Sequence, residues 1–174
     1  MDFLQLAKTR CSVRKYLPRK VEREKLLKIL EAGRIAPTAA NMQPQRLLVV
    51  EEDEGLAKLR KAANIYDAPL AIVVCSERQV AWKRPFDGQT TVEIDASIVT
   101  THMMLEAADL GLGTVWVGYF KPDVIAAEFR LPASVEPIAI LLAGYAAGEQ
   151  ASPDRHERDR KPLEELVFYE SYQA

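Results

Sequence analysis

Several features on which enzymes commonly build a site are scarce in this chain. Its two cysteines, Cys11 and Cys75, are too few and too far apart for a disulfide framework or a cysteine metal centre. Its two histidines, His102 and His156, offer no metal-ligand spacing, and no Ser, His and Asp arrangement suggests a hydrolytic triad. No glycine fingerprint of a dinucleotide fold is present. There is no apolar run of membrane length and no leader-type apolar segment, so a soluble, reducing, cytoplasmic setting is expected. The formal net charge of -2 gives no overall pull toward nucleic acid or an anionic membrane. Any anion site must therefore be a local cluster of Arg and Lys.

What is present is an ordinary globular composition. With 174 residues, 48% hydrophobic and 28% charged, residues 1–174 read as one domain able to bury a sizeable core. The dominant stretch is 91–119. Its apolar residues, from Val92 to Leu110, fall on more than one face, wider than the stripe a surface helix needs, so this helix is expected to be covered on nearly all sides. Gly111-Leu112-Gly113 is a glycine stop, and 114–118 reads as a buried strand. The small residues Ala96, Ser97, Thr100, Thr101 and Ala108 would let another backbone, such as a partner subunit's, approach closely.

The other periodic segments predict helices over 3–9, 21–35, 56–63 and 124–129, and apolar strands over 47–50, 70–75 and 135–145. Glu51 to Glu54 reads as a solvated strand exit. The mixed segment 76–89, with Trp82 and Phe86, reads as a loop of the kind that serves as a lid. Three stretches carry polar chemistry. In Arg10-Cys11-Ser12-Val13-Arg14, alternate residues Arg10, Ser12 and Arg14 share a side if extended, two guanidinium forks and a hydroxyl suited to an oxyanion. The proline-bounded turn 36–44 offers Thr38, Asn41 and Gln43 as donors and acceptors. The tail 154–169 runs from mixed charge into Leu163, Leu166, Val167 and Phe168, an apolar end that needs a surface to dock on, and its Arg158 and Arg160 could extend the basic cradle. Each stretch also has a plainer reading, as a solvated turn or charge run.

In their order and spacing these pieces resemble the nitroreductase family of flavin mononucleotide (FMN) enzymes over nearly the whole chain. The matching motifs are Arg10-Cys11-Ser12-Val13-Arg14, the turn from Ala36 to Pro44, Asp67-Ala68-Pro69, the run from Met104 to Trp116, and Arg160-Lys161-Pro162-Leu163-Glu164-Glu165. The resemblance implies an α+β three-layer sandwich, a mixed, mostly antiparallel sheet flanked by helices, in an intertwined homodimer with FMN at the interface. It places Arg10, Ser12, Arg158 and Arg160 at the flavin phosphate, with Cys11 in the same cofactor-contacting motif, and Arg14 at the pyrimidine edge as an electrostatic stabiliser. Pro37, Thr38, Asn41 and Gln43 match the turn along the ribityl chain and ring edge. Val117, Gly118 and Tyr119 match the strand end whose amides face the ring. The aromatic common after Gln-Pro in the family is here Gln45, followed by Arg46. NAD(P)H is the implied donor, and nitroaromatics, quinones or similar oxidised molecules the acceptors, in a two-electron ping-pong cycle. Other flavin chemistry on the same fold, such as dehalogenation, flavin breakdown or dehydrogenation, or flavin binding with little turnover, stays open at this point. His102 reads as an interface or core residue.

Overall fold

The computed structural model describes residues 2–172. α1 (Phe3–Thr9) starts at Asp2, whose carboxylate accepts the Gln5 N–H at 3.0 Å. α2 (Arg23–Ile35) begins two residues after the expected 21 because Glu22 is its cap; Val21, just outside, packs in the same core as Leu26 and staples the entry. Then follow β1 (Gln45–Val50), α3 (Asp53–Arg60), β2 (Leu70–Glu77), α4 (Val92–Asp109), β3 (Gly113–Val117), α5 (Pro122–Glu128), β4 (Val135–Gly144) and α6 (Arg155–Asp159). α3 takes in residues expected to be a strand exit, since Asp53 and Glu54 place negative charge in its first turn, where the helix dipole favours it.

The sheet has the order β1-β2-β4-β3, and every ladder in it is antiparallel. The mixed character expected for it is confined, among the described residues, to one parallel bridge from Ser12 to Thr114. Alternation along β2 and β4 sends Leu70, Ile72, Val74, Leu141 and Ala143 to a core shared with α2 and α4. Ala71, Val73, Cys75, Ile140 and Leu142 go to a second core with residues of α3 and α5. The result is three layers.

α4 crosses the first face. Val92, Ala96, Val99, Met103 and Ala107 are buried on it, and Gly33 lets α2 close in, since a methyl there would lie 2.9 Å from Met103 Sδ. The helix ends as expected: Gly111 takes φ 78°, with Gly111 N–H on Ala108 O and Leu112 N–H on Ala107 O. Coverage on nearly all sides is not what one chain provides. Ala96 and Thr100, expected among the residues open to a second backbone, lie in this chain's own core. Ser97, Thr101 and Ala108 stay on the outer face, and the Ser97 and Thr101 hydroxyls turn back to carbonyls four residues earlier. That face lines an open groove of about 620 Å³ with Phe3, Leu6, Ile35, Thr101, His102 and Leu105.

Past β4 the chain meets its own beginning. Tyr16 bridges Ala146, Leu17 N–H donates to Tyr145 O, and Ala147 N–H donates to Lys15 O. Tyr145 fixes this crossing with its side chain. Its hydroxyl donates to Glu22 Oε2 at 2.6 Å and accepts from Lys25 Nζ at 3.0 Å, while the Arg19 guanidinium stacks 4.0 Å over its ring. The Tyr145 hydrogen bond, helped by Arg19, holds the Glu22 carboxyl down to about 2 from 4.5. A folded-state value below the unfolded one stabilises above the unfolded value and is lost as pH falls through the folded one. Glu22→Gln should therefore melt below wild type at neutral pH, with the gap closing between about pH 4.5 and about 2; paired thermal denaturation across that range checks it.

Candidate functional site

Segment 10–17 lies along the β3 edge because β3 begins with a residue that has no side chain. Val13 N–H donates to Thr114 O at 2.8 Å, and a methyl on Gly113 would lie 2.6 Å from Val13 Cγ2 and 2.9 Å from its Cβ. Val13 is buried, so Ser12 and Arg14 on either side of it face solvent, and Arg10 is half-buried. Tyr16 donates its hydroxyl to Val13 O at 2.9 Å, and burial pushes that phenol above its usual range, so it stays a neutral donor. Cys11 turns the other way and meets Gln150 Oε1 at 3.5 Å. It lines a cavity of about 210 Å³ with Arg10, Thr114 and Gln150.

Among the described residues, Arg10, Arg14, Lys15 and Arg155 form no ion pair, a state they share with cations far from this edge such as Lys83, Lys121 and Arg130. Arg14 lies 6.0 Å from the Tyr66 ring. The tail comes back to this edge through residues that the sequence pattern did not single out. Arg155 donates to Arg10 O at 2.6 Å, and His156 Nε2 meets Lys8 O at 3.1 Å. Arg158 and Arg160 stay exposed and line neither of the two cavities that Cys11 borders. Arg155 could have been found only by knowing that α6 returns to residue 10.

Further along the same edge, Val117 ends β3 buried, and Gly118 and Tyr119 are exposed, Tyr119 at 96%. Among the described residues the Gly118 and Tyr119 N–H groups have no backbone acceptor. The turn 36–44 lies elsewhere. Ala40, Asn41 and Gln43 take positive φ near 50°, and part of the turn's polar chemistry is spent on holding that shape. Thr38 Oγ1 accepts the Gln43 N–H at 3.1 Å, and Gln43 Nε2 donates to Asn41 O at 3.2 Å. Ala39 N–H goes to the buried Asp95 at 2.9 Å. Pro37 and Asn41 are exposed.

The predicted residues thus fall into two groups. Arg10, Cys11, Ser12, Arg14, Val117, Gly118 and Tyr119 follow the β3 edge; Pro37, Thr38, Asn41 and Gln43 precede β1, the opposite edge. Three inter-strand spacings, about 14 Å, separate the edges, with helices on both faces between them.

A model of the nitroreductase family matches residues 7–65 and 56–145. The chain belongs to the nitroreductase family. It is similar to a Methanothermobacter thermautotrophicus protein named for NADH dehydrogenase and NAD(P)H nitroreductase activity, 35% identical over 172 residues, covering 94% of this chain and 87% of that one. It is also similar to a solved nitroreductase family protein from Clostridium difficile 630, with TM-score 0.97 and 59% identity over 99% of this chain and 100% of the other. An FMN-dependent nitroreductase of Clostridium difficile R20291 superposes with TM-score 0.83 at 26% identity, covering 98% and 100%. Among the described residues the chain has no helix long and apolar enough to cross a membrane and no His, Cys, Asp and Glu group suited to a metal.

Gly113→Ala should displace Val13, and with it Arg10 to Arg14, at a cost of about 1–3 kcal/mol. Adding Val13→Ala should recover part of that loss; chemical denaturation of the single and double variants measures it.

Proposed function

We propose that this chain is an FMN-dependent oxidoreductase that uses NADH or NADPH to reduce nitroaromatic, quinone or similar oxidised small molecules, and that it works as a homodimer in the cytoplasm. The observation that carries the reading is the gathering of Arg10, Arg14 and Arg155 along the β3 edge, next to exposed backbone N–H groups, in a member of this family. Such a surface suits a phosphate at one end and a hydrogen-bond-accepting ring edge at the other. The names of the relatives, which cite NAD(P)H and FMN, support the same donor and cofactor.

When bound, FMN supplies two-electron transfer between a nicotinamide and an oxidised acceptor, which no side chain can do alone. The chain's own residues bind and orient. Arg10 and Ser12, with Arg158 and Arg160 from the tail and Cys11 in the same motif, take the phosphate, and Arg14 faces the pyrimidine edge, where a cation stabilises negative charge. The amides of residues 117–119 hold the ring edge. Pro37, Thr38, Asn41 and Gln43 take the ribityl chain and the far side of the ring.

Because those two groups lie at opposite edges, the reading requires a second copy. α4 is 18 residues long, about 27 Å, with the turn 36–44 tied to its N-terminal end and the 10–14 segment near its C-terminal end. A two-fold axis across its middle exchanges the ends, so the turn of one chain meets the basic edge of the other, at two sites. The open groove on α4, with Phe3 and Ile35 each more than 60% exposed, supports that seat.

The purified protein should be yellow, and Arg10→Ala should weaken FMN binding by about 1.5–3 kcal/mol through the loss of a charge-assisted contact. Initial rates at several acceptor concentrations should give parallel double-reciprocal lines, since one pocket serves donor and acceptor in turn. A colourless protein that takes up no FMN contradicts the cofactor, and intersecting lines contradict the single pocket.

A further inference from the structure

Tyr66 and Asp67 take φ 51° and 54°, a left-handed pair with no glycine in it, just ahead of β2. Backbone held in a sparsely populated region persists only where its surroundings over-determine it. Here they do. The Asn64 side-chain oxygen accepts the Tyr66 N–H at 2.9 Å, Ala68 N–H donates to Ile65 O at 2.9 Å, and Ile65 and Ala68 are buried on either side of the pair. The segment is also tied to the far part of the β3 edge, where Lys121 N–H donates to Ala62 O at 3.0 Å.

This strained backbone fixes a half-buried ring beside the near part of that edge. Arg14, exposed and without an ion pair among the described residues, sets its guanidinium 6.0 Å over the Tyr66 ring. Tyr16 packs on the same core as Tyr66. Burial raises the Tyr16 phenol most, the Arg14 charge lowers it and Tyr66 raises it, so the three side chains stand together. A carboxylate would also hold a guanidinium, as Glu93 and Glu136 hold Arg78, but would offset its charge. A neutral ring attracts the cation through its face and leaves the charge available.

We propose that Tyr66 is a positioning residue for Arg14: its ring, fixed by the left-handed pair 66–67, keeps the guanidinium at the β3 edge with its charge intact, ready for the negative charge that reduction places on the edge of the cofactor ring. The inference rests on the FMN reading of this edge. Tyr66 itself touches neither cofactor nor substrate. Without its ring the long Arg14 side chain would sample other rotamers, and its charge would meet the reduced ring less often.

The midpoint potential of the bound flavin reads where that charge lies, with FMN binding followed by fluorescence. Tyr66→Leu should weaken binding of the reduced cofactor about fivefold more than binding of the oxidised one, which lowers the two-electron midpoint by about 20 mV. Tyr66→Phe, which keeps the ring, should match wild type. In an Arg14→Met background, Tyr66→Leu should leave the midpoint where Arg14→Met alone puts it. A wild-type midpoint in Tyr66→Leu overturns the proposal. So does an equal fall in the Arg14→Met background, since Tyr66 would then act through its own packing, and so does a Tyr66→Phe protein as low as the leucine variant, since the hydroxyl would then be the cause. Should Tyr66→Leu fail to fold, pentafluorophenylalanine in place of Tyr66 keeps the ring's shape and removes the negative potential of its face; a lowered midpoint supports the proposal and an unchanged one overturns it. A wild-type protein that binds no FMN overturns the functional reading and this inference with it, whereas a failed cycle in a protein that binds FMN overturns this inference alone.

Discussion

The packing of α4 across the sheet is the contact on which the rest depends. It commits one face of the helix, through Val92, Ala96, Val99, Met103 and Ala107, to a core that α2 shares by virtue of Gly33. Everything placed at its two ends inherits that orientation. At the N-terminal end Asp95 holds the strained turn; at the C-terminal end Gly111 turns the chain into β3, where Gly113 admits Val13 and sets Arg10, Ser12 and Arg14 along the edge. Gly111, Gly113 and one buried carboxylate thus set the geometry at the two ends of α4.

The layers were legible from periodicity because burial on both faces of the sheet leaves long apolar runs, as in 70–75 and 139–143, and the helix stops were legible because glycine in a left-handed conformation has a local signature. Which side of α4 faces the core was not, since its apolar residues surround the axis and only the positions of α2 and the sheet choose among them. For that reason Ala96 and Thr100 read equally well as contacts for a second backbone, and the structure buries them. The loop expected over 76–89 is present from residue 78 on, but its internal cohesion was hidden: it comes from Arg84 with Asp87 and from backbone bonds across residues 84–89, which composition does not show.

In the candidate site, several side chains are engaged within the chain itself in ways that residue type does not reveal. Thr38 and Gln43 serve their own turn through hydrogen bonds, and Arg155 rather than a later arginine binds the tail to Arg10. Long-range partners of that kind depend on where the chain returns. The exposure of Ser12 and Arg14 on either side of the buried Val13 was legible because alternation in an extended segment is a local rule.

The central claim is that a complete site needs the basic edge of one chain and the turn of another. Mixing two inactive homodimers tests this, one carrying Arg10→Ala with Arg14→Ala and the other with the turn disabled by Asn41→Ala and Thr38→Val. Subunit exchange should restore flavin binding and activity at about one site per heterodimer, since one wild-type edge then faces one wild-type turn. Mixtures that stay as inactive as their parents, while exchange is verified by mass, would show that both groups serve a site within a single chain and contradict the account.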